Sequence, residues 1–152
     1  MSTQAATPIT AADNEIVTTR VFDAPRETLF QAWTDPELLA RWWGPKGFSN
    51  TIQEFDLRPG SVWRLVMRGP NGVEHPNESV FVEIVEPERL VFRHLSPVHE
   101  FLTTATFEDL GGSTRLVWRM RFTSAAEYER VQRYVAEANE QNLDRLEAVL
   151  GL

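Results

Sequence analysis

SAAEYERVQRYVAEANEQNLDRLEAVL, residues 124–150, reads as a single amphipathic helix. Tyr128, Val131, Val135, Ala138, Asn142, Leu146 and Val149 recur at steps of three and four, one face of a 3.6-residue repeat. Glu127, Glu129, Arg130, Glu137, Glu140, Asp144 and Arg145 fall between them and read as the solvated face. Ser124 is a good N-cap, with Glu127 three residues on as its capping-box partner. Gly151 stands where the helix should stop. At 1.5 Å per residue the predicted helix is about 40 Å long.

The residues ahead of it alternate like antiparallel sheet. The last strand, over 113–122, is the clearest: Leu116, Trp118, Met120 and Phe122 share one side, Arg115, Val117, Arg119 and Arg121 the other. It pairs with 100–108 through a turn at Asp109-Leu110-Gly111-Gly112. Earlier strands are predicted over 50–57, 61–68, 78–85 and 89–94, with turns at Arg58-Pro59-Gly60, Gly69-Pro70-Asn71-Gly72 and Glu86-Pro87-Glu88. His75 then falls in a loop. A first strand over 15–22 is followed by two short helices, 25–33 and 35–41, each opened by a proline signal at Pro25 and Asp35-Pro36. Residues 1–13 lack any period and are expected to be a frayed, flexible N-terminus, leaving 14–152 as one domain.

Seven strands about 4.8 Å apart make a sheet roughly 30 Å wide, whereas one helix is only about 10–12 Å across. The sheet must therefore curl, and the short helices must close the remaining gap. The expected class is α+β: a helix-grip fold, with a curved antiparallel sheet of about seven strands wrapped around a long C-terminal helix and two short helices after the first strand. A cavity between sheet and helix is the natural by-product.

Composition narrows the function. The 152 residues include no cysteine, which excludes a disulfide scaffold, a thiolate metal site and a thiol nucleophile. A net charge of −7 disfavours a phosphate backbone as partner, so no nucleic acid is expected. No apolar run reaches membrane-spanning length and no signal segment is evident, so neither a membrane partner nor an address outside the cytoplasm is expected. Five tryptophans and nine phenylalanines point to a large aromatic interior.

Several segments, in this order, resemble the START/Bet v 1-like (SRPBCC) superfamily. The branch they resemble is the family named after the activator of the heat-shock protein 90 ATPase. They are Arg20-Val21-Phe22-Asp23-Ala24-Pro25, Ala32-Trp33-Thr34-Asp35-Pro36-Glu37, Trp42-Trp43-Gly44-Pro45, Leu57-Arg58-Pro59-Gly60, Glu83 through Leu90, and Phe107-Glu108 through Thr114. The resemblance runs from about residue 14 to the end and implies the helix-grip fold. It implies less about activity, because relatives of this fold include lipid and hormone carriers, polyketide cyclases and a co-chaperone domain. The last helix of such relatives often carries a Gly-Trp pair where this chain has Ala138-Asn139.

The expected function is binding of a small hydrophobic or aromatic molecule between the sheet and the last helix. Trp42, Trp43, Trp63, Met67, Phe92, Phe101, Trp118 and Met120 are expected around the pocket, with methionine supplying adaptability. His94 and His99, either side of a turn expected at Ser96-Pro97, follow the parity of apolar neighbours and would orient a ligand. Asn142 interrupts the helix seam and wants a partner, as Asn139 does more weakly. Glu78 is the carboxylate candidate, at a strand entry. The alternatives are a cyclase-, lyase- or hydrolase-like catalyst using His/Glu acid–base chemistry in the same cavity, or a co-chaperone-type interaction module acting through the outer sheet face. A classical enzyme is the less favoured reading, since no nucleophile motif or phosphate-cradling glycine loop is present. No cofactor is expected, and no metal, because the three histidines lack ligand spacing. Monomer and homodimer are both compatible with the sequence, and a chaperone partner is the weaker expectation.

Overall fold

The computed structural model describes residues 11–95 and 99–152; the expected frayed terminus falls largely on residues 1–10, and the Ser96-Pro97 turn wholly on 96–98, outside the described residues. The elements are β1 (Glu15–Phe22), α1 (Arg26–Thr34), α2 (Pro36–Trp42), β2 (Ser49–Phe55), β3 (Val62–Arg68), β4 (Glu74–Val85), β5 (Arg89–Leu95), β6 (Glu100–Asp109), β7 (Thr114–Phe122) and α3 (Ala125–Leu150). One seven-stranded sheet runs β1-β7-β6-β5-β4-β3-β2, with every neighbouring pair antiparallel. Bulges between Ile52 and Glu54 and between Phe81 and Glu83 break the register and add to the curl. This is the helix-grip α+β fold.

The alternation read along the last strand holds in three dimensions. Leu116, Trp118, Met120 and Phe122 are buried under α3, while Arg115, Arg119 and Arg121 point to the outer face. Most outer-face arginines are set against carboxylates. Arg115 pairs with Glu108 at 3.3 Å, Arg119 with Glu15 at 2.9 Å, and Arg64 with Glu54 at 2.7 Å. The outer face is thus a mosaic of compensated charges.

One strand is longer than its pattern predicts. β4 begins at Glu74, so His75 lies in a strand rather than a loop. Pro76 obscured this, because proline argues against an interior strand. It is tolerated here because, among the described residues, β5 pairs with β4 only from Ser79 onward and residues 74–78 pair with β3 alone.

The caps behave as local chemistry dictates, with one exception. Asp35 accepts a bond from the Glu37 N–H at 3.0 Å and opens α2 at Pro36. Ser124 accepts from the Glu127 N–H at 3.2 Å, and Gly151, at φ 74°, ends α3 in the left-handed conformation. The capping box is only half made, since the Glu127 carboxylate turns to His99 and Arg130 instead of back to the N-cap. Along α3, burial is deepest at Asn139, Asn142, Leu143 and Leu146, while Tyr128, Val131 and Val135 are half-buried. The helix therefore seats its C-terminal half. Arg20, on the inner side of edge strand β1, holds it there through Glu140 at 2.8 Å, Asp144 at 2.9 Å and Glu147 at 3.1 Å.

Candidate functional site

Trp43 lies at the centre of the interior aromatics. It is the C-cap residue of α2, where an extended φ of −64° and ψ of 138° turns the chain away from the helix axis. Its ring centroid lies 5.6 Å from Trp33, 5.4 Å from Trp42, 5.2 Å from Trp63, 5.8 Å from Trp118 and 6.4 Å from Phe92. Most of these contacts are edge-to-face, the arrangement the ring quadrupole favours. Its neighbours are sealed from solvent: Trp42 is 0% exposed, Trp33 1%, and Trp63, Phe92 and Trp118 2% each. Trp43 itself is half-buried.

This apolar cluster contains polar atoms without partners. The indole N–H of Trp42 donates to the Ala32 carbonyl at 2.9 Å. The indole N–H groups of Trp33, Trp63 and Trp118 are buried and find no acceptor among the described residues, and the Asn142 side-chain oxygen finds no donor. Each such orphan costs about 1–3 kcal/mol. Asn139 differs: its amide donates to the Thr18 hydroxyl at 3.3 Å and approaches the Met120 sulfur at 3.3 Å. Asn139 is thus satisfied by the sheet. Asn142, one helical step further on, is not.

The loop that carries Trp43 is fastened to α3. Arg145 donates through one guanidinium nitrogen to the carbonyls of Trp43 at 3.2 Å, Gly44 at 2.8 Å and Pro45 at 3.0 Å. The Lys46 N–H donates to the Gln141 side chain at 3.1 Å, and the Asn50 amide donates to the Trp43 carbonyl at 2.6 Å. The reading of Arg145 as part of a solvated face is corrected here. The carbonyls at the end of α2 have no intrahelical partner, and the guanidinium supplies one. Burial lowers the Arg145 pKa, though it stays charged. Gly44, at φ 93°, packs so close to Met67 that a Cβ there would lie 2.9 Å from the Met67 methyl. Beside the loop, Pro45, Phe48, Tyr134, Ala138 and Gln141 line a surface depression of about 260 Å³.

A second group gathers at the far end of β5. His94, one inward position beyond Phe92, stacks on Phe101 with centroids 4.6 Å apart and planes 8° from parallel. Its Nδ1 donates to the His99 carbonyl at 2.9 Å, and its Nε2 lies 2.6 Å from the Asn77 side-chain oxygen. Burial lowers the His94 pKa, against the opposing pull of the His99 carbonyl, and favours a neutral ring. His99 reaches the Glu127 carboxylate, which also holds Arg130. Burial pushes the Glu127 carboxyl up, but the bonds from Arg130 and His99 outweigh it and leave its pKa lowered.

The candidate residues therefore divide. Trp42, Trp43, Trp63, Phe92 and Trp118 form one cluster, with Met67 packed against the core and Asn142 buried on α3. Met120 lies beside Asn139. His94, Phe101 and His99 make up the second group. Glu78 belongs to neither: it faces outward, half-exposed, with Arg64 at 3.4 Å. Trp33, Gln141 and Arg145 were not among the expected site residues. Trp33 shares an apolar helix face with Leu29 and Phe30, which reads as ordinary core. Only the fold brings Gln141 and Arg145 over the Trp43 loop.

Residues 23–151 match the family of activator of Hsp90 ATPase homolog 1-like proteins. The chain belongs to this family. No curated protein matches it. Among solved structures, a protein of Arthrobacter aurescens superposes with a TM-score of 0.86 at 23% identity, covering 91% of this chain and 87% of its own. A protein of Nitrosomonas europaea gives 0.82 at 24%, covering 95% and 98%. The AHSA1 protein of Silicibacter pomeroyi gives 0.72 at 22%, covering 90% and 97%. At these identities the likeness is one of fold. This AHSA1-like chain shares its architecture with those proteins, and its interior chemistry must be read from its own residues.

Proposed function

We propose that this chain binds a small hydrophobic or aromatic molecule in its interior, between the sheet and α3, within the cluster that surrounds Trp43. The observation that carries this reading is the set of orphaned polar atoms on Trp33, Trp63, Trp118 and Asn142. Native interiors keep few such atoms, because each forfeits its solvation with nothing in return. Three donors within one aromatic cluster, and an unpartnered acceptor on the helix that covers the sheet, suit a molecule that offers an aromatic body and a few polar atoms. Apolar burial would drive binding, and these groups would fix its orientation.

Titration of the intact protein with neutral aromatic and acyl compounds tests the reading. Tryptophan fluorescence should change saturably, and backbone resonances at Trp118 and Asn142 should shift together. Silence of both probes across a broad panel would count against interior binding. The His/Glu catalyst has weaker support, because His94 faces the interior while Glu78 lies on the opposite face of the sheet.

A further inference from the structure

We infer that the Trp43 indole holds the ligand's place, and that the ligand is a neutral, planar, bicyclic molecule with hydrogen-bond acceptors. The inference rests on the interior-binding reading and adds to it both the mode of entry and the chemical class.

Three observations converge on Trp43. Its ring packs against Trp33, Trp63 and Trp118, the residues whose indole N–H groups are buried without acceptors. An indole has one donor and no acceptor, so Trp43 supplies aromatic contact to these rings but cannot satisfy their N–H groups. Trp43 is also the member of the set that reaches solvent, whereas the three rings around it are sealed. Finally, the loop behind it is attached by separate bonds from Arg145, Gln141 and Asn50 rather than by a sheet ladder. Gly44 and Gly47, at φ 93° and 90°, bracket the turn, and the depression of about 260 Å³ lies between that turn and α3.

A molecule with the outline of an indole but with carbonyl, ether or ring-nitrogen acceptors would keep the aromatic contacts and take up the three N–H groups. It should be uncharged, because among the described residues no lysine or arginine is buried in the aromatic core to balance a carboxylate. The affinity of the intact chain is the intrinsic affinity multiplied by the fraction of molecules whose Trp43 is swung outward, since only those are competent.

Coumarin (planar, neutral, with two oxygens on one edge) tests this against naphthalene, which matches its shape without acceptors, and coumarin-3-carboxylate, which adds a charge. Trp43→Ala and Trp43→Leu remove the place-holder by different volumes, so loss of fold in one leaves the other informative. Coumarin should bind the folded variants at least about tenfold more tightly than the intact chain, the ratio set by the competent fraction. Naphthalene and the carboxylate should bind those variants about tenfold more weakly than coumarin. In the intact chain labelled with 5-fluorotryptophan, the Trp43 fluorine resonance should move to a solvent-exposed position as coumarin saturates. Coumarin binding with an unmoved Trp43 resonance and no gain in either variant would overturn the place-holder while leaving interior binding intact. Equal affinity for naphthalene and coumarin would overturn the acceptor class. No coumarin binding by any folded variant would overturn the inference, whereas interior binding itself stands or falls on the broad titration.

Discussion

His94 and Asn142 are two buried polar side chains with opposite circumstances. His94 donates through one ring nitrogen to the His99 carbonyl, sets the other beside the Asn77 side-chain amide and has a parallel aromatic partner in Phe101, and its burial disfavours the charged form. Its folded pKa lies below the ordinary value of 6.5, so an unfolded chain takes up a proton first as the pH falls. Stability is therefore full above pH 6.5 and declines below it, until the folded ring also protonates. Urea unfolding at about pH 7.5 and pH 5.5 should show a larger loss for the native chain than for His94→Gln, whose amide does not titrate. Glu127, whose pKa is lowered, works in a separate window, losing its contribution as the pH falls from the ordinary carboxylate value of 4.5 toward its lowered folded value. Asn142 is the reverse case, a buried oxygen with no donor. Asn142→Leu should raise the stability of the ligand-free protein by about 1 kcal/mol, read as an increase in Tm, because it removes a desolvated acceptor at little change in volume. The same change should weaken ligand binding, the pattern of a group kept for function at some cost in stability.

The element with most leverage on the candidate site is the turn from α2 into β2. A helix end leaves carbonyls that need donors, and here they receive them from α3 through Arg145. Arg145→Met keeps most of the stem packing but removes those bonds. It should cost about 1–3 kcal/mol in denaturant unfolding and raise amide exchange across residues 43–48 while the β6–β7 ladder stays protected. Uniform loss of protection would instead show that Arg145 stabilises the whole fold rather than this turn. The strands themselves were legible from alternation, because each has one face on the core and the other in solvent. Only β4 misled, since Pro76 reads as a strand breaker until its one-sided pairing is known.

Across the whole molecule the sheet curls and α3 closes it, but closure is uneven. Leu143 and Leu146 are fully buried, whereas the residues of the first turns are half-exposed. Leu146→Ala should cost about 2–5 kcal/mol, with a fall in Tm and no change in secondary structure by circular dichroism. Tyr134→Ala, in the exposed first half, should be nearly neutral to stability by the same measurement. Among the described residues, no helix is long and apolar enough to cross a membrane. The outer sheet face pairs its arginines with carboxylates from adjacent strands, as Arg89 does with Glu83 at 2.7 Å.

Periodicity and punctuation sufficed for the element order, the strand faces, the helix caps and the family resemblance, because those depend on residues near one another in the chain. They also placed Trp42, Trp43, Trp63, Phe92 and Trp118 in one apolar set, together with Met67, Phe101 and Met120. They could not show that five aromatics, Trp33 among them, close around Trp43, that three indole N–H groups there find no acceptor among the described residues, or that Glu78 faces away. Those facts depend on where separate elements meet. Arg145 and Trp43 are 102 positions apart in sequence and share a hydrogen bond only because the curled sheet brings α3 back over the end of α2. Local pattern says which face of an element is apolar, but tertiary packing decides which polar atoms on that face find partners.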